Sequence, residues 1–391
     1  MKKILLISLS NISSDSRVLR QIRALLNNNF FVITVGFGNF TPNHLNHIHI
    51  EISPKDKLKF LGVSLLSILN LNSIKPLINL LTKKIISKLK SIDFDLIISN
   101  DLQNLPVVIY LAKINNNKPI ILDIHEYFID EFSSKTNYLP LRKIFYSNLI
   151  KKHKKELNQI KLITVNESIA KLYQNDFDLN NFEIILNCPY YYNISPKLFT
   201  NNPIKIVHIG AAIKTRKLEN MILLFNYMDV NLRSNFELDF YLIADNRIRK
   251  DYLEYLKKIA NKIENIKINF FNPIPPNEII PKLNQYDIGL HYIYPSNLNH
   301  LYCLPNKLFQ YIQARLAILS SPNPEMAKII SKYNLGFISQ DYTPQSLANT
   351  LLLFNKENIN KFKENSDKAA KILNYDNETS KLINLINKSL K

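Results

Sequence analysis

The sequence predicts an α/β fold built from two doubly wound domains facing each other across a cleft. Short apolar runs that suit buried strands alternate with helical periods from one end of the chain to the other. The alternation stops at a polar, proline-punctuated stretch, "NCPYYYNISPKLFTNNP", and then begins again. A chain of 391 residues also exceeds what one hydrophobic core usually organises. Because ligands of doubly wound sheets bind at the carboxyl ends of the strands, two such sheets imply a site between them.

Each element follows from its own pattern. In the first half "KILLISL", "FVITVGF", "DLIIS", "PIILDI" and "KLITVN" read as buried parallel strands, with helices over Val18 to Asn27 and Leu105 to Lys113 between them. The second half repeats the scheme through "IKIVHIG", "LDFYLIA", "IKINFF", "DIGLHYI" and "LAILSS". Domain boundaries are set at 1–188 and 204–374, joined by a linker over 189–203, with the apolar period of 375–391 predicting a terminal helix. No internal repeat is evident.

Composition excludes several classes. Two cysteines, Cys188 and Cys303, leave neither a disulfide framework nor a cysteine-based zinc site, which fits a reducing cytoplasm. The amino-terminal "MKKILLISLS" has two lysines before an apolar run but no small-residue cleavage site, so it reads as a first strand. The longest uncharged run, "FLGVSLLSILNLNSI" over 60–74, is too short and too rich in Ser and Asn to span a bilayer. A formal charge of +18 asks for an acidic partner, although the chain is saturated with Lys, Asn and Ile throughout. No RNP-type strand or zinc-finger spacing occurs, so no nucleic-acid partner is expected. Two basic helical stretches, "KPLINLLTKKIISKLK" and "RKIFYSNLIKKHKKELNQ" with Lys151, Lys152, Lys154 and Lys155, would lie on an anionic membrane surface or form ordinary solvated faces.

Dinucleotide, P-loop, nucleophile-elbow and zincin signatures are all missing. "DFD" occurs at Asp93 to Asp95 and at Asp176 to Asp178, but the first pair sits at the entrance of a strand, and both read as surface turns rather than metal ligands. What remains is a set of polar residues at strand ends. Asn100 and Asp101 follow "DLIIS", His125 and Glu126 follow "PIILDI", and Gly210 precedes Arg216 and Lys217 after "IKIVHIG". Taken singly, Asp101 suits a helix N-cap and His125 a satisfied core histidine. Taken together they rim a phosphate-binding edge, where helix N–H groups and a nearby cation attract anions.

The stretch "PNKLFQYIQARLAILSS" resembles a pattern of the retaining, nucleotide-sugar-dependent GT-B glycosyltransferases of family four, P-N-K-L-[FY]-E-Y-x-x-x-G-x-P-V. "DSRVLRQIRALL", "SNDLQNLP" and "LDIHEYF" are similar to first-domain motifs of the same family, so the resemblance spans nearly the whole chain. It implies two Rossmann-like domains and a terminal helix that packs back on the first. By position it implies that Lys307 faces the donor diphosphate with Arg216 or Lys217, and that His125 lies beside the transferred sugar. Gln310 would hold the ribose, with Gly210, Asn306 and Ser320 also on the nucleotide-sugar side, and Arg17, Asp101 and Glu126 on the acceptor side. The implied reaction moves a sugar from a nucleoside-diphosphate sugar, a co-substrate rather than a cofactor, to a glycan or lipid-linked glycan at the inner face of the plasma membrane. Retention without metal or protein nucleophile is part of that implication. Departures are plain: the family glutamates are Gln310 and Tyr302, and the Gly and Pro of G-x-P-V are Arg315 and Ala317. These leave open a degenerate GT-B domain that binds nucleotide or glycan without transfer.

Overall fold

The computed structural model describes residues 1–38, 46–50, 85–130 and 139–391. The apolar run 60–74 and residues 75–84 of the first basic stretch lie outside these. The chain divides into two compact units, Met1–Leu186 with Glu378–Lys391, and Asn187–Asn377.

The first unit is built on a parallel sheet of seven strands among the described residues, in the order β3-β2-β1-β4-β5-β6-β7. These are β1 Lys3–Asn11, β2 Phe31–Phe37, β3 Asn46–His49, β4 Leu96–Asn100, β5 Ile120–Asp123, β6 Lys161–Thr164 and β7 Phe182–Ile184. The central strands β4 and β5 are buried along their whole length, as expected where helices cover both faces of a parallel sheet. Helix α1 (Ser16–Asn27) starts where Asp15 accepts from the N–H groups of Arg17 and Val18, an N-cap that satisfies two orphan donors. Helix α2 (Leu105–Ile114) admits Pro106 in its first turn, where no intrahelical N–H is needed. Helix α3 (Leu139–Lys152) carries the second basic stretch, with Lys151 and Lys152 exposed at its end and Lys154 paired to Asp178 at 3.1 Å.

The second unit repeats the plan with six described parallel strands in the order β10-β9-β8-β11-β12-β13. They are β8 Ile204–Ala211, β9 Phe236–Ile243, β10 Lys267–Phe271, β11 Ile288–His291, β12 Ala317–Ser320 and β13 Gly336–Ile338. Ile206, Leu238, Phe240, Leu290 and Leu319 form the core beneath it. No helix or strand lies between Ile184 and Ile204. The opening of the P-N-K stretch is helix α4 (Asn306–Gln313), which runs within a few residues into β12.

That tight connection turns on Arg315, whose φ of 60° is a left-handed conformation costing a side-chain-bearing residue about 1 kcal/mol. The family's glycine is gone, yet the turn it serves is kept. Compensation comes from burial of the guanidinium in hydrogen bonds: Nε to Asp367 at 2.7 Å, Nη2 to the Tyr192 carbonyl at 2.9 Å, and Nη1 to the Gln313 carbonyl. Ala317, in the proline position, donates its N–H to the Asp287 carbonyl at 3.0 Å, a bond proline lacks.

Candidate active site

The carboxyl edge of the second sheet is cationic. Strand β8 leaves the sheet through Gly210 at a φ of 147°, and Lys307, on the first turn of α4, lies across it. A Cβ on residue 210 would stand 2.8 Å from Lys307 Nζ and would overlap the methylene next to it, so the lysine keeps this place only beside a glycine, which the φ of 147° also favours. Burial, and then the Arg216 guanidinium, push the Lys307 ammonium down to about 7. Arg216 ends the 3-10 turn Lys214–Arg216 that follows β8. None of the groups that shift Lys307 is a carboxylate.

The floor under this lysine is uncharged. His208 on β8 and His291 on β11 are both buried, with ring centroids 6.2 Å apart. Burial first, and Lys307 next, lower His208 to about 3 and His291 well below its ordinary value, so both stay neutral. His208 is held through Nδ1 to the Leu290 carbonyl at 2.9 Å. Burial raises the Cys303 thiol to about 12, which keeps it protonated beside the two cations.

The other residues expected on the donor side occupy distinct places. Asn306 opens α4 with a buried Oδ1 that has no partner among the described residues. Its helix presents first-turn N–H groups on the same edge. Gln310 is half-buried one turn further on. Lys217 has a φ of 50° and stacks its ammonium 3.6 Å from the Tyr294 ring centre. Ser320 is fully buried at the end of β12 and donates its hydroxyl to the Ser321 carbonyl at 2.9 Å.

At the carboxyl edge of the first sheet the charges are arranged differently. Arg17, expected to face an acceptor, turns inward: Nε and Nη2 bind the two oxygens of Asp123 at 2.7 and 3.0 Å. Gln21 donates to the same carboxylate at 2.7 Å and accepts from Asn100 Nδ2 at 2.9 Å. Asp101 follows β4 with a φ of 71°, and its carboxyl is pushed up to about 6, mainly by burial, with His125 opposing and Asp123, Asp15 and Glu126 adding to the rise. His125 Nδ1 lies 3.6 Å from Asp101 Oδ1. Glu126 is half-buried, and its backbone carbonyl accepts from the Tyr173 hydroxyl at 2.9 Å.

Both Asp-x-Asp pairs are engaged with neighbours. Asp95 accepts from the Lys3 N–H at 2.8 Å, Asp93 pairs with the Lys3 ammonium, Asp176 accepts from the Tyr127 hydroxyl, and Asp178 pairs with Lys154. Among the described residues no three His, Cys, Asp or Glu side chains come together as a metal would require.

Sequence reasoning named Lys307, Arg216 and Asp101 as candidates but passed over His208 and His291, because each sits inside an apolar run that reads as strand core. Their spacing carried a signal nonetheless. Each falls near the carboxyl end of a central strand, the edge where a doubly wound sheet holds its ligands.

No family model matches the chain, and no curated protein shows a significant match. Solved structures do. A glycosyltransferase of Rickettsia africae is similar at a TM-score of 0.68 and 13% identity, covering 100% of this chain and 99% of that one. A sucrose-phosphate synthase of Thermosynechococcus elongatus gives 0.70 and 12% identity over 99% of both chains. An Anabaena protein solved with UDP and glucose gives 0.65 and 12% identity over 99% of this chain and 100% of its own. What the chain shares with these proteins is the fold: it is an α/β protein of the GT-B type, with parallel sheets of seven and six strands.

Proposed function

We propose that the protein is a glycosyltransferase that moves a sugar from a nucleoside-diphosphate sugar to a lipid-linked precursor of a surface glycan, with retention of configuration and without a metal ion. The observation that carries this reading is the cation over Gly210. Lys307 is crowded against Arg216, and no carboxylate is among the groups that shift it, so this ammonium has no counter-ion among the described residues. A diphosphate supplies that anion, and most strongly as the glycosidic bond breaks and charge gathers on the leaving phosphate. Fixed cations and the free N–H groups of α4 then do the work that a divalent ion does elsewhere. The UDP and glucose bound by the Anabaena protein of the same fold support a nucleotide-sugar donor.

With retention, the acceptor hydroxyl attacks from the leaving-group side and gives its proton to the departing phosphate. The oxygen–C1 bond to the acceptor forms as the C1–phosphate bond breaks, and no protein nucleophile takes part. The basic end of α3 supports a membrane-bound acceptor, since each lysine adds about 1 kcal/mol of attraction near anionic lipid. Among the described residues no helix is long and apolar enough to cross a membrane.

Gln310 favours a second reading, nucleotide binding without transfer. It accepts from ribose hydroxyls without the charge that a glutamate brings. One experiment separates the two. UDP, GDP and ADP sugars are screened for thermal stabilisation, and the stabilising sugar is then followed for turnover. Stabilisation with turnover supports transfer; stabilisation alone favours the binding protein; no response to any nucleotide overturns both.

A further inference from the structure

Asp101 and His125 follow neighbouring strands at the carboxyl edge of the first sheet, where Asn100 pairs in register with Asp123. The backbone of Asp101 adopts a conformation that favours glycine, a strain that persists only where surrounding structure holds it. Nδ1 of His125 is buried, makes no hydrogen bond and faces the Asp101 carboxylate at 3.6 Å, which leaves the Nε2 edge of the ring for a ligand. Beside them Asn100 is 2% exposed, and its Oδ1 has no partner among the described residues while its Nδ2 is committed to Gln21. Two acceptor groups, an amide oxygen and a carboxylate, are thus gathered with few donors to satisfy them.

The charge around them has a sign. Asp15, Asp123, Glu126 and His125 are the titratable groups that act on Asp101, and Asp123 is already neutralised by Arg17. In a chain of net charge +18 this edge is locally acidic. A ligand with phosphate or carboxylate groups is repelled here, whereas a ligand rich in hydroxyls supplies the missing donors.

We propose that Asp101, steadied by His125 and with Asn100 beside it, determines acceptor specificity by binding hydroxyls of a neutral or amino sugar and rejecting an acidic one. The proposal rests on the glycosyl-transfer reading and goes beyond it in naming the chemical class of the acceptor's sugar. His125 acts as a positioning residue, while Asp101 touches the acceptor.

The test is ligand-observed NMR on the full chain with millimolar methyl β-D-glucopyranoside, methyl β-D-glucosaminide and methyl β-D-glucuronide. The first two should bind and the glucuronide should not. Asp101→Asn should weaken the neutral glycoside about tenfold, the worth of one hydrogen bond to a charged group, and should admit the glucuronide. His125→Gln should give a smaller loss of the same kind. Equal binding of the glucuronide by the unaltered chain, no binding of either other glycoside, or an unchanged profile in a folded Asp101→Asn variant would overturn the proposal. Thermal stabilisation by UDP, GDP or ADP, measured in parallel, reads the second unit. If it survives while the glycoside pattern fails, only the acceptor assignment falls; if it is absent from the unaltered chain, the transfer reading falls instead.

Discussion

Arg17 and Lys307 are both cations at the carboxyl edge of a parallel sheet, and they have opposite fates. Arg17 is 6% exposed and grips a fully buried carboxylate with two hydrogen bonds, with the Ile185 carbonyl as a further acceptor. Lys307 faces another cation, two neutral imidazoles and a thiol. A buried charge that already has its counter-ion belongs to the fold, because its field is spent inside the protein. A crowded charge without one is costly to the folded chain and is worth keeping only for a partner that brings the opposite sign. The same residue class therefore marks a structural clamp in one unit and, on the proposed reading, a diphosphate site in the other.

This contrast breaks if the two cations behave alike on removal. Arg17→Ala should cost about 3 to 5 kcal/mol of stability, since it strands Asp123 in the core without a partner. Denaturant unfolding of the first unit measures it, and a loss under 1 kcal/mol would mean the clamp does not hold the fold.

Lys307→Ala should do the reverse. Transfer should drop by about 10² to 10³ in kcat, roughly 3 kcal/mol of transition-state stabilisation, while the melting temperature stays level or rises. A pH signature accompanies it. Between pH 7 and 10.5 the unfolded chain holds a proton that the folded lysine has released, so the stability of the nucleotide-free protein should rise with pH across that window. The variant should lose that rise. Wild-type turnover in the variant would remove Lys307 from the diphosphate.

Much of this was legible before the structure, and the limits are physical. The central strands announce themselves because both their faces are buried, which forces uninterrupted apolar runs such as "KILLISL" and "DLIIS". Strands β3, β7 and β13 are short edge strands without full burial, and "NHIH", "FEI" and "GFI" carry no such run. Lys307 and Gly210 were each marked by pattern, but their fit is a matter of one missing Cβ and no spacing reveals it. The pairing of Arg17 with Asp123 joins residues 106 apart, and so it follows from strand order, not from local sequence. For that reason the sequence placed Arg17 on the acceptor side. The φ of Arg315 was hidden in a different way, because an arginine in a glycine position looks like a broken turn until its buried partners are seen.

Asp101 sharpens the comparison from the acidic side. Its carboxyl, raised from 3.8 to about 6, is destabilising once ionised: between those values the folded chain keeps a proton that the unfolded chain has lost, and stability falls as pH rises through the window. Above pH 6 the cost is fully present, at about 3 kcal/mol. Asp101→Asn should relieve it, raising the melting temperature of the first unit by several degrees at neutral pH but not at pH 4. Gain in stability together with loss of acceptor binding is the signature of a group kept for function. A variant that is both less stable and unchanged in binding would make Asp101 a structural residue like Arg17.

The smallest effect belongs to Gln310, where the chain departs from the family glutamate on an edge that is otherwise cationic. A carboxylate there would accept ribose hydroxyls with charge, and the gain is bounded by the difference between a charged and a neutral hydrogen bond, about 1 kcal/mol. Half-burial of the side chain argues against more. Gln310→Glu should therefore tighten binding of the stabilising nucleoside diphosphate about fivefold in calorimetry, the equivalent of that energy. The matching 2′,3′-dideoxynucleoside diphosphate should gain nothing, because it has no ribose hydroxyl to offer the new carboxylate. If both ligands tighten equally, the added charge is acting on the Lys307 and Arg216 pair from a distance. Gln310 would then lie beside the diphosphate and not the ribose.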